Sequence, residues 1–399
     1  MALNVLSILT LIALTIILGY IGAIIFKKTG IPDVLWLMLF GVLVGPTFRL
    51  INTELFVLAT PLFAAIALII ILFQGGLSLK LNELLKEFVN STKLSLVNLL
   101  LSILLVSTSL IFIFQLDPIK AFLVGAIVSG TSAAVVLSIV NRIQANEKIK
   151  TMLSLESIIT DPFTIVIVVA VIGLLIPMTG NSPWAVIASA FSIGTVLGLF
   201  FGLIWLMIMP KLTDHSLTYM ITLALILFLY VTTELLSGSG AIAALVFGIT
   251  LANRTIFAGL TGFKEELFPK NLLDFQEEVT FFIRSFFFVN LGLIFVIKPE
   301  FILMGITVTA VILIARYIGT NISMSKTGLT ENGIQLIWFM GPRGLAAAVM
   351  SQLPATYGLP NSELFASIAF IVIFLTILFT TITIKFFYKP EIENSQQVL

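Results

Sequence analysis

No cysteine occurs anywhere in the chain, which excludes disulfides, thiolate metal sites and cysteine nucleophiles. Histidine is almost as scarce. The single one, His215, lies beside Asp214 in a polar connection, where it reads as solvated and not as part of a metal cluster. Charge is also in short supply: 10% of the 399 residues are Asp, Glu, Lys or Arg, whereas 59% are hydrophobic. No soluble core absorbs that much apolar sequence, so the chain reads as an integral membrane protein throughout. The N-terminus has neither the basic region nor the small-residue cleavage site of a signal peptide, and the first apolar run is expected to be a permanent span. A nucleophile–base pair, a histidine cluster and a Gly-rich nucleotide loop are all missing, and an enzyme is not expected. The tail after Lys389 is short, and no soluble regulatory domain is expected.

What is present is a series of apolar runs long enough to cross a bilayer of about 30 Å. They fall near 4–26, 33–48, 55–74, 94–116, 119–140, 151–176, 184–210, 217–236, 239–253, 279–297, 301–320, 331–353 and 363–386. The third contains Gln74-Gly75-Gly76, which either ends it early or lies within it. Thirteen spans put fifteen of the 21 Lys and Arg on one side, among them Lys27, Lys80, Arg142, Lys211, Lys264 and Lys385. Only Arg49, Lys120 and Lys298 fall on the other, and Arg284, Arg316 and Arg343 lie inside spans. Because cytoplasmic connections hold the excess of basic residues, the N-terminus is expected outside and the C-terminus inside.

The starts of spans 1, 2, 4, 5 and 6 return as those of spans 8, 9, 11, 12 and 13 after about 206 to 213 residues. With span 7 as a linker the second set begins on the opposite face, the pattern of an inverted repeat. The long connection 254–278 breaks the match of span 3 with span 10, and Phe257 to Glu278 reads as an amphipathic helix at the inner surface. The predicted fold is therefore an all-α membrane protein of thirteen transmembrane helices in a six-plus-six inverted repeat. Two spans carry breaks at corresponding positions: span 5 at Ser129-Gly130-Thr131-Ser132, span 12 at Gly341-Pro342-Arg343-Gly344. Folds of this kind hold substrate where two such helices break at mid-membrane.

The densest polar signal is Leu155-Glu156-Ser157-Ile158-Ile159-Thr160-Asp161-Pro162-Phe163-Thr164 in span 6. On a helix Glu156, Ser157, Thr160, Asp161 and Thr164 share an arc of about 140°. A carboxylate in hydrocarbon costs several kcal/mol unless it meets water, an ion or a partner, so two of them mark a site. Pro162 withholds its donor from the Ile158 carbonyl, freeing an oxygen beside Asp161. From the helical rise, Glu156 lies roughly 8 Å above the inner edge, level with Arg316 of span 11 at roughly 6 Å. Asp161 lies roughly 15 Å in, level with Arg343, Thr131 and Ser132. Glu156 and Arg316 are thus expected to form a buried ion pair, leaving Asp161 as the acid free to exchange ligands. Arg343 is expected to cap carbonyls of the broken helices or to balance their charge, since a cation would be repelled by it. Arg284 reads as snorkelling to the interface or pairing with Glu277 or Glu278. Glu234 reads as exposed at the interface.

Taken as a set, the span 6 motif, the Gly-Thr-Ser break, the span 11 arginine and Arg343-Gly344 resemble the monovalent cation/proton antiporters, in particular the archaeal and bacterial sodium/proton exchangers of the NhaP type. The resemblance covers all thirteen spans. It implies that Asp161 binds proton and ion, that Ser157 and Thr131 join it as ligands of the transported metal ion, and that Glu156 is bridged to Arg316. It implies a homodimer in which spans 4–6 (94–176) and 11–13 (301–386) form a moving transport core. Spans 1–3 (1–93) and 8–10 (217–300) then form the dimerisation domain, 177–216 the linker span and 387–399 a cytoplasmic tail. Two positions depart from the family: Thr160 stands where it has Asn, and Ser132 where it has Asp. The site then offers one free carboxylate and extra hydroxyls, oxygens that suit any hard cation.

The activity expected is exchange of a monovalent cation, sodium first and lithium next, for protons in the cell membrane of a prokaryote, with no cofactor. A buried carboxylate holds its proton more tightly, and an arriving cation displaces it. One titrating acid beside a permanently paired Glu156 favours an electroneutral one-for-one cycle. The rival readings are a potassium/proton antiporter, a sodium-coupled symporter whose Arg343 holds an organic anion, and a channel.

Overall fold

The computed structural model describes residues 2–50, 54–79, 88–140, 142–143, 145–175, 183–209, 218–261, 270–325 and 327–388. Among these the regular elements are all helical. In chain order they are α1 (Ala2–Thr29), α2 (Asp33–Val42), α3 (Glu54–Ser78), α4 (Phe88–Phe114), α5 (Pro118–Ile127), α6 (Ala133–Val140) and α7 (Glu147–Leu175). Then follow α8 (Pro183–Ile208), α9 (Thr218–Leu235), α10 (Gly240–Ala252), α11 (Arg254–Thr261), α12 (Lys270–Leu293) and α13 (Pro299–Met324). The chain closes with α14 (Glu331–Phe339), α15 (Leu345–Met350), α16 (Leu353–Thr356) and α17 (Glu363–Phe387). A π-helical turn, Leu43–Thr47, extends α2 around Pro46, which lacks the N–H an α-helix needs there.

Six helical stretches are long and apolar enough to cross a membrane: Leu9–Thr29, Val89–Phe114, Glu147–Leu175, Ala188–Ile208, Pro299–Met324 and Glu363–Phe387. Shorter apolar helices stand at 33–47, 62–78, 118–127, 220–235 and 240–252. Large apolar side chains such as Leu9, Tyr20, Leu104, Phe112, Phe228 and Leu303 are exposed, an outer surface suited to lipid. The molecule is an all-helical membrane protein.

Local sequence sets where the helices start and break. Asp117 caps α5, its Oδ1 accepting from the amides of Ile119 and Lys120 at 3.1 Å, with Pro118 at the first helical position. Thr330 caps α14 through the amide of Gly333 at 3.2 Å. Glu234 is exposed, and its Oε1 accepts from the amide of Gly240 at the start of α10. Gln74-Gly75-Gly76 lies within α3. Between α5 and α6 the chain is non-helical at 128–132, and between α14 and α15 at 340–344, so both Gly-rich stretches interrupt their helices.

The helices pack as two sets. In one, α10 lies between α3 and α8 while α12 packs on α2 and α1. Backbones approach closely there: a Cβ on Gly41 would meet the backbone of Val289 and Gly292, and one on Gly248 that of Phe73 and Gly76. In the other, α4 packs on α13, α5 and α7, and α13 packs on α17. The contacts α3 to α7 and α12 to α15 join the sets.

Two expectations meet a different structure. Residues 262–269, in the middle of the stretch expected as an amphipathic surface helix, lie outside the described residues, but 270–278 do not precede a separate span: α12 begins at Lys270 and runs unbroken to Leu293. The polar start of α12 hid its continuity with the apolar part. Arg284 pairs with Asp33 at 2.7 Å, a partner far away in sequence, and the side chain of Glu277 lies outside the described residues. Asp33 opens α2 after Pro32 and reads locally as a helix-start residue, so nothing near it in the sequence announces a partner on α12. His215, Lys211, Lys80, Lys264 and the tail beyond residue 388 lie outside the described residues.

Candidate functional site

α7 carries the polar face as one continuous helix through Pro162, with Glu156, Ser157, Thr160 and Thr164 all buried. The guanidinium of Arg316, on α13, meets the Glu156 carboxylate with both terminal nitrogens: Nη1 to Oε1, and Nη2 to Oε2 at 2.9 Å. Nη2 also donates to the carbonyls of Ile337 at 2.8 Å and Met340 at 2.6 Å. Arg316 thus neutralises Glu156 and satisfies the last carbonyls of α14 where that helix breaks. Asn98 on α4 adds a third donor, its Nδ2 lying 3.2 Å from Glu156 Oε1.

One turn further along, the two breaks cross. The amide of Ser132 donates to the carbonyl of Pro342 at 2.8 Å, and Gly344 lies so close to Ser132 that a Cβ there would strike its hydroxyl. Thr131 bonds α7 twice through Thr160 Oγ1, from its amide at 3.2 Å and hydroxyl to hydroxyl at 3.0 Å. Arg343, fully buried, donates from Nη1 to the Ser129 carbonyl at 2.7 Å, and its amide donates to Thr376 on α17 at 3.0 Å. The positive group therefore sits at the C-terminal end of α5, where helix carbonyls concentrate negative charge.

Asp161 takes the opposite pole. The amide of Ala133, first residue of α6, faces its carboxylate, as suits a negative charge at a helix N-terminus. Gly130 passes beside it, a Cβ there standing 3.5 Å from Asp161 Oδ1. Asp161 is half-buried and makes no ion pair among the described residues. The arrangement is one carboxylate, on a residue that is itself only partly buried, backed by hydroxyls and by an amide at the head of a half-helix. Such a group can hold a proton or a hard cation in turn.

Of the residues singled out in the sequence, Asp161, Thr131, Thr160, Ser132 and Arg343 come together at the crossing, and Glu156 and Arg316 lie beside it. Ser157 is buried on the same helix, but its hydroxyl donates back to the Leu153 carbonyl at 3.0 Å. The sequence reading passed over Asn98, Ser102 and Thr376. A signal for the first two exists: Ser91, Ser95, Asn98 and Ser102 recur at helical spacing along α4, all buried. Among the described residues no group of three His, Cys, Asp or Glu could hold a metal ion, so a bound cation here would rely on hydroxyl and carbonyl oxygens with Asp161.

Comparison with known proteins agrees with this architecture. A family description reading sodium/hydrogen exchanger, transmembrane, matches residues 12–389. Na(+)/H(+) antiporter 1 of Methanocaldococcus jannaschii is 26% identical over 375 residues, covering 88% of this chain and 84% of that protein. K(+)/H(+) antiporter NhaP of Alkalimonas amylolytica is 23% identical over 92% of this chain and 64% of its own length. K(+)/H(+) antiporter NhaP2 of Shewanella oneidensis is 25% identical over 88% and 61%. This chain thus spans less than two thirds of the potassium-named relatives. The solved structure of the sodium proton antiporter MjNhaP1 from M. jannaschii at pH 8 superimposes with a TM-score of 0.80 at 21% identity, covering 95% of this chain and 97% of that one, which shows a shared fold. The chain therefore belongs to the sodium/hydrogen exchanger family, transmembrane cation/proton antiporters that move ions and are not enzymes.

Proposed function

We propose that this protein exchanges sodium, with lithium as an alternative, for protons by alternating access, and that Asp161 binds the two in turn. The observation that carries the reading is the division of labour along α7: Glu156 is neutralised by Arg316, while Asp161, one turn and a half away, makes no ion pair among the described residues and faces the ends of two half-helices. An acid that is neutral with either a proton or a cation, and charged only when empty, crosses the membrane cheaply in the two loaded states alone. Binding competition then couples the fluxes, and one exchanging acid gives an electroneutral cycle. Thr131 and Thr160 supply oxygens to the bound cation, with Ser132 and Ser157 as further ligands. Arg343 balances the α5 terminus. No cofactor takes part.

The architecture that serves this reading is thirteen membrane spans in an inverted repeat, N-terminus outside, in a prokaryotic cell membrane. The glycine contacts support it: Gly41 against Gly292 and Gly248 against Gly76 are exchanged by an offset of about 207 to 216 residues. The division of helix packing supports residues 94–176 and 301–386 as a transport core moving against a dimerisation domain of 1–93 and 217–300, in a homodimer. Potassium is the second reading, favoured by the names of two relatives.

The test is dequenching of a pH-sensitive dye in proteoliposomes holding a proton gradient, on addition of sodium, lithium or potassium. Cation-evoked proton movement that vanishes with Asp161→Asn is expected. Absence of a response to any of the three from folded protein would overturn the reading and favour a symporter.

A further inference from the structure

We infer that Thr164 is a cation ligand and the residue that sets the size preference of the site; this rests on the reading of Asp161 as the exchanging acid. Threonines in the helices of this protein usually spend their hydroxyl on the carbonyl four residues back. Thr151, Thr195, Thr250, Thr309 and Thr376 all do so, at 2.7 to 2.8 Å. Thr164 turns its hydroxyl away from its own helix and toward the break between α5 and α6, where it meets Ser129 Oγ at 3.4 Å. That contact is long, and Ser129 already donates to the Ala126 carbonyl at 2.8 Å.

The second observation concerns what Thr164 shares with Asp161. Gly130 passes beside both: a Cβ built on it would stand 2.7 Å from Thr164 Oγ1 and 3.5 Å from Asp161 Oδ1. The two oxygens therefore border one small space, which exists because residue 130 has no side chain. Its two sides differ in burial. Asp161 is half-buried, while Thr164 is wholly enclosed and Ser129 nearly so. A cation that reaches Asp161 from the open side meets the Thr164 hydroxyl at the closed end. A hydroxyl in hydrocarbon without a strong partner is costly, and a cation is the ligand that would use its free lone pair.

The chemistry follows from hardness and size. Alkali cations take neutral and anionic oxygens alike, and they are told apart by how closely a fixed set of oxygens can surround them. Asp161 supplies charge but rotates toward an ion of any radius. Thr164 is β-branched, rotamer-restricted and walled in by Ser129 and Gly130, so its oxygen is the part of the shell least able to follow. A proton needs only Asp161. Thr164 should therefore act on cation affinity and ranking and leave proton binding untouched.

The experiment measures KM and kcat for lithium, sodium and potassium in proteoliposomes carrying wild type, Thr164→Val, Thr164→Ser, Gly130→Ala or Asp161→Asn. Thr164→Val keeps shape and removes the hydroxyl; KM for the preferred cation should rise by about tenfold with a narrowed ranking, while kcat changes less than about threefold. Thr164→Ser restores the hydroxyl and should restore the ranking. Gly130→Ala should raise KM as well, most for the largest cation, and it serves as the test if Thr164→Val does not fold. Wild-type KM and ranking in both Thr164→Val and Gly130→Ala, with Asp161→Asn inactive, would overturn this inference and leave the antiport reading standing. Activity persisting in Asp161→Asn would instead remove the reading on which it rests.

Discussion

The amide of Ser132 donates to the carbonyl of Pro342 at 2.8 Å, so the two interrupted helices are bonded to each other at the point where each has lost its own ladder. The chain is non-helical at 340–344, so the Pro342 carbonyl has no donor within a helix and is free for this use; Gly344, two residues on, lets the chains come close enough. Gly344→Ala should place a methyl group on the Ser132 side chain and lower stability by about 1–3 kcal/mol. A fall in melting temperature in detergent, partly recovered in the double variant Gly344→Ala with Ser132→Gly, is the expected result. An unchanged melt for Gly344→Ala would mean the crossing yields at little cost.

The Glu156 pair should behave as a buried unit. Removing one partner leaves the other charge uncompensated, a loss of about 3–5 kcal/mol. Arg316→Met should be the more damaging single change, because the carbonyls of Ile337 and Met340 lose their donor as well. A double-mutant cycle with Glu156→Leu and Arg316→Leu should show a double variant better than the sum of its parts. Equal and additive losses would indicate that the two residues act independently.

Competition at Asp161 fixes the sign of a pH effect. Lower pH favours the protonated acid, so the apparent KM for the cation should rise as pH falls, by up to about tenfold per unit where the acid is mostly protonated, with the maximal rate held. At high pH the acid is ionised and KM should become flat. Initial rates across pH and cation concentration measure this, and a falling maximal rate at constant KM would contradict competition.

Arg142 joins α1 to the segment after α6: Nη1 donates to the Phe26 carbonyl, Nη2 to that of Lys28 at 3.3 Å, and the guanidinium lies 5.8 Å from the Phe26 ring. The last turn of a helix has free carbonyls that a cation satisfies. Arg142→Ala should raise amide deuterium exchange over residues 26–31 with little change in the middle of α1. Arg142→Lys should restore part of the protection, and identical exchange in all three proteins would show that Arg142 does not hold this helix end.

The residue pattern made much of this protein legible. Apolar runs gave the helical membrane class, since only helices satisfy their own backbone in lipid at that length. The breaks at Ser129–Ser132 and Gly341–Gly344 were readable because glycine, proline and charge are expensive in mid-span. Matching depths from a fixed rise placed Glu156 opposite Arg316, and the two side chains meet. Partners set by packing and not by depth escaped. Arg284 and Asp33 lie 251 residues apart, on helices whose adjacency no local pattern states. The spacing of Ser91, Ser95, Asn98 and Ser102 marks a polar stripe on α4, but that Asn98 meets Glu156 and Ser102 meets Arg343 depends on how the helix is turned.

What the sequence determined by itself was chemistry by depth: which residues are too costly to leave in hydrocarbon without a purpose, and how far each lies from the surface. Rotation about each helix axis was decided only in three dimensions, because period and rise say nothing about which neighbour a face meets. That rotation turned Thr164 toward Gly130. It also left Asp161 open at the crossing of the two broken helices, where close approach through glycine sets which oxygens share one space.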